Sequence, residues 1–371
     1  MSKYLLKNAN ICDIKEKKFQ KKDIQVEFGI ITEISDFINE QKEETVIDIN
    51  GKFLSQGWID AHAHLYINDD LGISQDIMLY SGVTFAVDAG TAGSLNFQDF
   101  LESSLKKSKL PAKSYLNIAP YGVGKQGVEL KDLSKVDVNA CLEAVKNFKN
   151  YIIGIKLRID PRVCEDSEKA MKIAKEISQK AGLPLIVHAS RTLMSMEKVL
   201  SFLDKGDVFA HTYANKTPGL LDKNSKVKKC AFEARERGVF FDVSHGKSNF
   251  SFDVMAKAVE QNFLPDVIST DLHKGSLNVV YDLPTTMSKV MACGVDFWNV
   301  LTMVTDNAAK MLGLETHEIA KGDLANFTVF DVKDGDFSFS DADGNIKKSE
   351  KKFEPYLTII KDEIFLANNR T

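Results

Sequence analysis

Short apolar, β-branched runs recur eight times between residues 57 and 272, and helix-patterned segments separate most of them. The runs are "GWIDAHAHL" (57–65), "GVTFAVDAG" (82–90), "SYLNIAPYG" (114–122), "YIIGIKLRI" (151–159), "LPLIVHAS" (183–190), "DVFAHTY" (207–213), "GVFFDVSHG" (238–246) and "DVISTDL" (266–272). Between them, "NFQDFLESSLKKSK", "SEKAMKIAKEISQKAG" and "NSKVKKCAFEARERG" carry helix patterns, and the last two close on glycine, as helices commonly do. Such alternation over this length predicts an α/β chain folded as a (β/α)8, TIM-like barrel. A doubly wound sheet would need a glycine-rich phosphate loop after its first strand, and "AHAHLYINDD" has none.

The two ends read differently. "YLLKNANICD", "DIQVEFGIITEIS" and "ETVIDINGKFL" at the start, and "GDLANFTVFDVKD", "DFSFSDADGNIKKSE" and "YLTIIKDEIFLAN" at the end, are strand-like runs broken by turn residues. We expect residues 1–54 and 320–371 to pair as a small composite β-sandwich domain, interrupted by a barrel over 55–319. A chain of 371 residues, 44% of them hydrophobic, is long enough for both.

Composition narrows the partners. Charge is near balance, 48 basic against 52 acidic residues, with no basic stripe carrying aromatics, so no nucleic acid is expected. The five cysteines are scattered without a CxxC pair, which argues against a disulfide framework and a cysteine-based zinc site and fits a reducing cytoplasm. The apolar stretch at the start is too short for a signal peptide, and no run approaches the ~20 residues of a membrane span. The expectation is a cytoplasmic protein acting on a small molecule, with no membrane partner and with homo-oligomerisation left open.

A barrel places its active site at the C-terminal ends of its strands. His62 and His64 end the first run, Lys156 and Arg158 the fourth, and His188, His211, His245 and Asp271 the fifth to eighth. Of seven histidines in the chain, five sit at these ends, His273 follows the eighth run, and His317 lies elsewhere and is expected in an exposed loop. Asp60, His62 and His64 share one strand parity and so one face. Imidazole and carboxylate suit zinc or a similar first-row ion, and four histidines plus an aspartate exceed the roughly three protein ligands of one open catalytic site. Two ions would use them all if Lys156 bridged. Buried in an apolar strand, its ammonium is costly, and uptake of CO2 would turn it into an anionic carbamate. Asp60 is expected to orient a ligand histidine. Cys164 and Cys293 have no neighbouring base and are not read as nucleophiles.

Together, "SQGWIDAHAHL", "IIGIKLR", "LIVHAS", "FAHTY" and "ISTDL", in this order, resemble the amidohydrolase superfamily. "TVIDINGKFL" and "GDLANFTVFD" resemble its composite β domain, so the likeness spans nearly the whole chain. "VDAGTAG" and "FDVSHG" are similar to the amidohydrolase/deacetylase branch, whose members also go under dihydroorotase-like and adenine deaminase names. The resemblance implies two divalent metal ions, expected to be Zn2+, one held by His62, His64 and Asp271 and the other by His188 and His211. Carboxylated Lys156 (N6-carboxylysine) would bridge them. It implies ester or amide hydrolysis by metal-activated hydroxide, with Asp271 as general acid and base, on a small carboxylic acid such as acetyl-mandelate. Arg158, His245 and Tyr121 are the candidates for holding the substrate carboxylate. A cyclic amidohydrolase of dihydroorotase type would use the same ligands. A purine (adenine) deaminase is disfavoured by Lys156, and a non-enzymatic scaffold by the full ligand set. Two departures, Gln56 before Gly57 where proline is common and Asn326 after Ala325 where aspartate is common, leave the metal residues untouched. His273 has no assigned role.

Overall fold

The computed structural model describes residues 3–123, 129–316 and 318–367, so His317 lies outside the described residues. Seven parallel strands form one curled sheet in chain order: Trp58–Ala63, Val83–Asp88, Ala112–Asn117, Ile152–Arg158, Leu185–His188, Val208–Ala210 and Phe240–Phe241. The eighth run is too irregular to count as a strand, yet it closes the ring. On one side Val243 N donates to Val267 O (3.1 Å) and His245 N to Ser269 O (3.1 Å). On the other, His64 N donates to Leu272 O at 2.9 Å. Closure leaves no open edge.

These strands are apolar because both faces are covered. Leu185, Ile186 and Val187 are all fully buried. The helix Ser167–Ala181 turns Ala170, Met171, Ala174 and Ile177 onto the sheet. Its first turn is capped by Asp166, which accepts from Lys169 N at 2.9 Å, and Gly182 ends it at φ 65°. The segment "NSKVKKCAFEARERG" is helical only over Lys229–Glu236. Before it, Asp222 accepts from the backbone of Asn224 and Lys226 and holds a turn instead.

The chain ends meet in an eight-stranded sheet. Asn326–Ser340 pairs antiparallel with Phe53–Gln56, which lies parallel to Lys3–Asp13. Leu6, Ile24, Val26, Leu54, Phe327 and Ile359 fill its own core. The hairpin of Asn326–Ser340 and Ile346–Ile360 extends beyond that core to the barrel. Phe330 packs at a tilt against Trp58 (5.1 Å between ring centres), and Ala342 N at the tip donates to Phe250 O (3.0 Å). No helix among the described residues is long and apolar enough to cross a membrane.

Candidate metal centre

The barrel's C-terminal end gathers the histidines. Ligand-capable atoms of His62, His211 and Asp271 all lie within 4.8 Å of one another. Asp271 Oδ1 is 3.1 Å from His64 Nε2 and 3.7 Å from His62 Nε2. The ring centres of His188 and His211 are 4.0 Å apart. His211 and Asp271 turn inward through left-handed backbone, at φ 60° and 50°, which non-glycine residues adopt at a cost and which recurs at functional sites.

Each of three imidazoles is tied back by Nδ1. Ser244 Oγ lies 3.0 Å from His62 Nδ1 and donates its own proton to Asp242. It therefore has only a lone pair to offer, and His62 Nδ1 carries the hydrogen. Thr91 Oγ1 repeats the pattern, 2.7 Å from His64 Nδ1 while donating to Asp88 Oδ2 at 2.7 Å. His211 Nδ1 is 2.6 Å from the carbonyl of Ser244, which can only accept. In all three rings Nε2 is left as the free base, the form a metal requires. Burial, first of all, also drives the pKa of His62 and His188 well below the ordinary value and that of His211 to about 3. Burial alone would raise Asp271, but the close approach of His64, His62 and His211 around it holds its carboxyl far below the usual range.

Among the described residues, Nε2 of His62, Nε2 of His211 and Nζ of Lys156 are buried with no hydrogen-bond partner. Buried polar atoms are rarely left so. Three orphaned nitrogens beside an ionised carboxylate fit a divalent cation. Lys156 is 1% exposed, and burial pushes its amine down to about 8. Its stem passes so close to Gly90, at φ 82°, that a Cβ there would stand 2.5 Å from Lys156 Cβ.

Asp60 does something other than orient a ligand histidine. Its carboxylate accepts from Thr270 N (3.1 Å) and Thr270 Oγ1 (2.6 Å), so it clamps the eighth segment one residue before Asp271. Its only link to His62 is a long 3.4 Å contact with the backbone N–H. Burial raises its pKa to about 7.

Beside the ligands lies a cavity of about 200 Å³, lined among others by His64, Lys156, Arg158, His188, Asp271 and His273. Arg158 is brought to it, but Nη1 is spent on Glu129 Oε1 at 2.9 Å. His245 is not. Its Nδ1 faces Gly246 O (2.8 Å), its Nε2 takes a hydrogen from Lys289 Nζ (3.0 Å), and its ring stacks on Phe250 (4.7 Å). Tyr121 is 45% exposed and does not line the cavity. His273 does line it, with Nδ1 accepting from Gly275 N at 3.1 Å.

Sequence reasoning missed Asp88, Thr91, Asp242, Ser244 and Glu129. The first four had a signal: an aspartate near a strand end, followed two or three residues on by a hydroxyl, within "VDAGTAG" and "FDVSHG".

A model of the amidohydrolase family matches residues 53–365. The chain belongs to the amidohydrolase family. A deacetylase from Brucella anthropi is 32% identical over 347 residues, covering 92% of this amidohydrolase and 86% of the relative. A solved structure of a dihydroorotase superimposes with a TM-score of 0.92 at 30% identity, covering 99% of this chain and 98% of that one. One of an adenine deaminase gives 0.90 at 28% identity, covering 99% and 100%. This amidohydrolase is an enzyme, a hydrolase built on the TIM-barrel fold of its relatives.

Proposed function

We propose that this amidohydrolase is a dinuclear metal-dependent deacetylase that cleaves an ester or amide of a small carboxylic acid, such as an acetylated 2-hydroxy acid. The orphaned donor set carries the reading: Nε2 of His62, Nε2 of His211 and Nζ of Lys156, buried and unpaired beside Asp271. His62, His64 and Asp271 would hold one divalent ion and His188 and His211 the other, with carboxylated Lys156 between them. Zinc suits these nitrogen and oxygen donors. Such ions supply Lewis-acid polarisation of a carbonyl and a lowered pKa for water.

The chain's own residues supply the rest. Ser244 and Thr91 hold the imidazoles in one tautomer. Asp271, ionised and fixed against His64, accepts the proton of the attacking water and returns it to the departing oxygen or nitrogen. Lys156 sits where a neutral amine is favoured by burial, which suits carbamate formation.

The deacetylase name of the Brucella anthropi relative supports acyl hydrolysis. The names of the two superimposed structures support ring-opening of a cyclic amide and purine deamination as the competing reactions. The test is a turnover screen of metal-loaded protein against acetylated 2-hydroxy acids, N-acyl amino acids, dihydroorotate and adenine. Hydrolysis of the acetyl esters or N-acyl compounds is expected. Turnover of dihydroorotate or adenine alone would overturn the reading.

A further inference from the structure

We propose that the loop after the seventh barrel strand reads the substrate's carboxylate, through the ammonium of Lys247 and the side-chain amide of Asn249. The proposal takes the hydrolase reading above for its setting and deepens it by naming the group that selects substrate.

Among the described residues, three cations besides Lys156 line the cavity: Arg158, Arg162 and Lys247. Two are already compensated. Arg158 pairs with Glu129 at 2.9 Å, and Arg162 lies across Asp160, its Nε 3.0 Å from each carboxylate oxygen. Lys247 has no ion pair among the described residues and is exposed at the cavity. Among the described residues it is the cation there with charge to spare. Two residues on, Asn249 is only 6% exposed, lines the same cavity, and makes no side-chain hydrogen bond among the described residues. Its amide reaches the cavity without a protein partner among the described residues and is free to donate to a ligand there. Ammonium plus amide N–H is a charge-assisted pair suited to a carboxylate.

The loop is held from behind. Lys289 and Phe250 lock the His245 ring, and Asn249 N donates to His245 O at 3.2 Å. Asp341, at the hairpin tip, accepts from Phe252 N at 3.1 Å. At Gly246 the loop runs so close to Asp271 that a Cβ would stand 2.2 Å from Oδ2. Lys247 and Asn249 therefore follow directly on a point fixed against the proton-carrying aspartate. Such preorganisation lowers the cost of ordering a binding group.

Calorimetric titration of metal-loaded protein with mandelate and with its methyl ester tests this without turnover. The unaltered protein is expected to bind the acid. Lys247→Met and Asn249→Ala are each expected to weaken it about tenfold or more, the range of a charge-assisted hydrogen bond. Metal content should be unchanged, and Lys247→Met should leave binding of the ester unaffected. Arg162→Met, its charge already spent on Asp160, should bind the acid as before. Lys247 is exposed, so its variant reports even where Asn249→Ala fails to fold. Equal binding of the acid by Lys247→Met, or no binding of it by the unaltered protein, overturns the proposal. Lys247-dependent binding in a protein that hydrolyses none of the acetyl esters or N-acyl compounds would overturn the deacetylase reading and leave this one standing.

Discussion

Ser244 Oγ lies 3.0 Å from His62 Nδ1, and the same residue's carbonyl takes the Nδ1 hydrogen of His211. One residue thus sets the tautomer of two imidazoles, from a left-handed backbone at φ 41°. Removing the hydroxyl in Ser244→Ala frees the His62 ring while the His211 contact remains. Metal affinity is expected to fall about 10- to 100-fold, the usual cost of losing such a partner. Competition with a chelator measures it. Unchanged affinity would remove Ser244 from this role.

Gly246 and Gly90 are places where backbone passes against the site. Gly246→Ala would drive a methyl toward Asp271 Oδ2 and Gly90→Ala one toward the Lys156 stem, each at positive φ. Strain of about 1 kcal/mol or more from the backbone alone is expected. Activity should fall far more than stability does. Thermal melts read beside kcat separate the two, and full activity in Gly246→Ala would mean that Asp271 has room to move.

Chelation should abolish hydrolysis and lower Tm, because bound metal stabilises only the folded chain, by about 4 kcal/mol when the ion stands at 1,000 times its Kd. Two metals per chain are expected on reloading. Lys156→Ala should lose metal and activity together, and protein prepared with carbon-13 bicarbonate should carry a carbamate resonance. One metal per chain, with Lys156→Ala fully active, would remove the bridged pair.

Lys289 links stability to pH. Burial lowers its amine from the ordinary 10.5 to about 8, so between these values the unfolded chain binds the proton and the folded chain releases it. Stability contributed by this group therefore rises with pH across that window, and its penalty is complete below pH 8. Lys289→Met has no such term. The stability difference, unaltered protein minus variant, should climb between about pH 8 and 10.5 in denaturant titrations. A flat difference would mean that Lys289 is not buried as a titrating amine.

The legible part of this protein is the part that repeats or alternates. Eight apolar runs identified the barrel, because strands covered on both faces must be apolar along their length. The polar residue closing each run marked the rim where His62, His64, Lys156, His188, His211 and Asp271 gather. Parity worked for Asp60 and His62 while the strand lasted, but could not say what Asp60 would meet. Its partner is Thr270, 210 residues away.

His245 shows where that logic stops. Its strand is only Phe240–Phe241, and left-handed Ser244 breaks the alternation just before it. The imidazole that ends the seventh run therefore leaves the site for Lys289, on a helix 44 residues on. The sequence by itself determined the barrel and the identity of the rim residues, since both follow from local period. Only the tertiary structure decided which nitrogen each imidazole presents, which cation is left unpaired and which histidine turns away. Those outcomes depend on hydrogen-bond partners from other strands, and no local spacing encodes them.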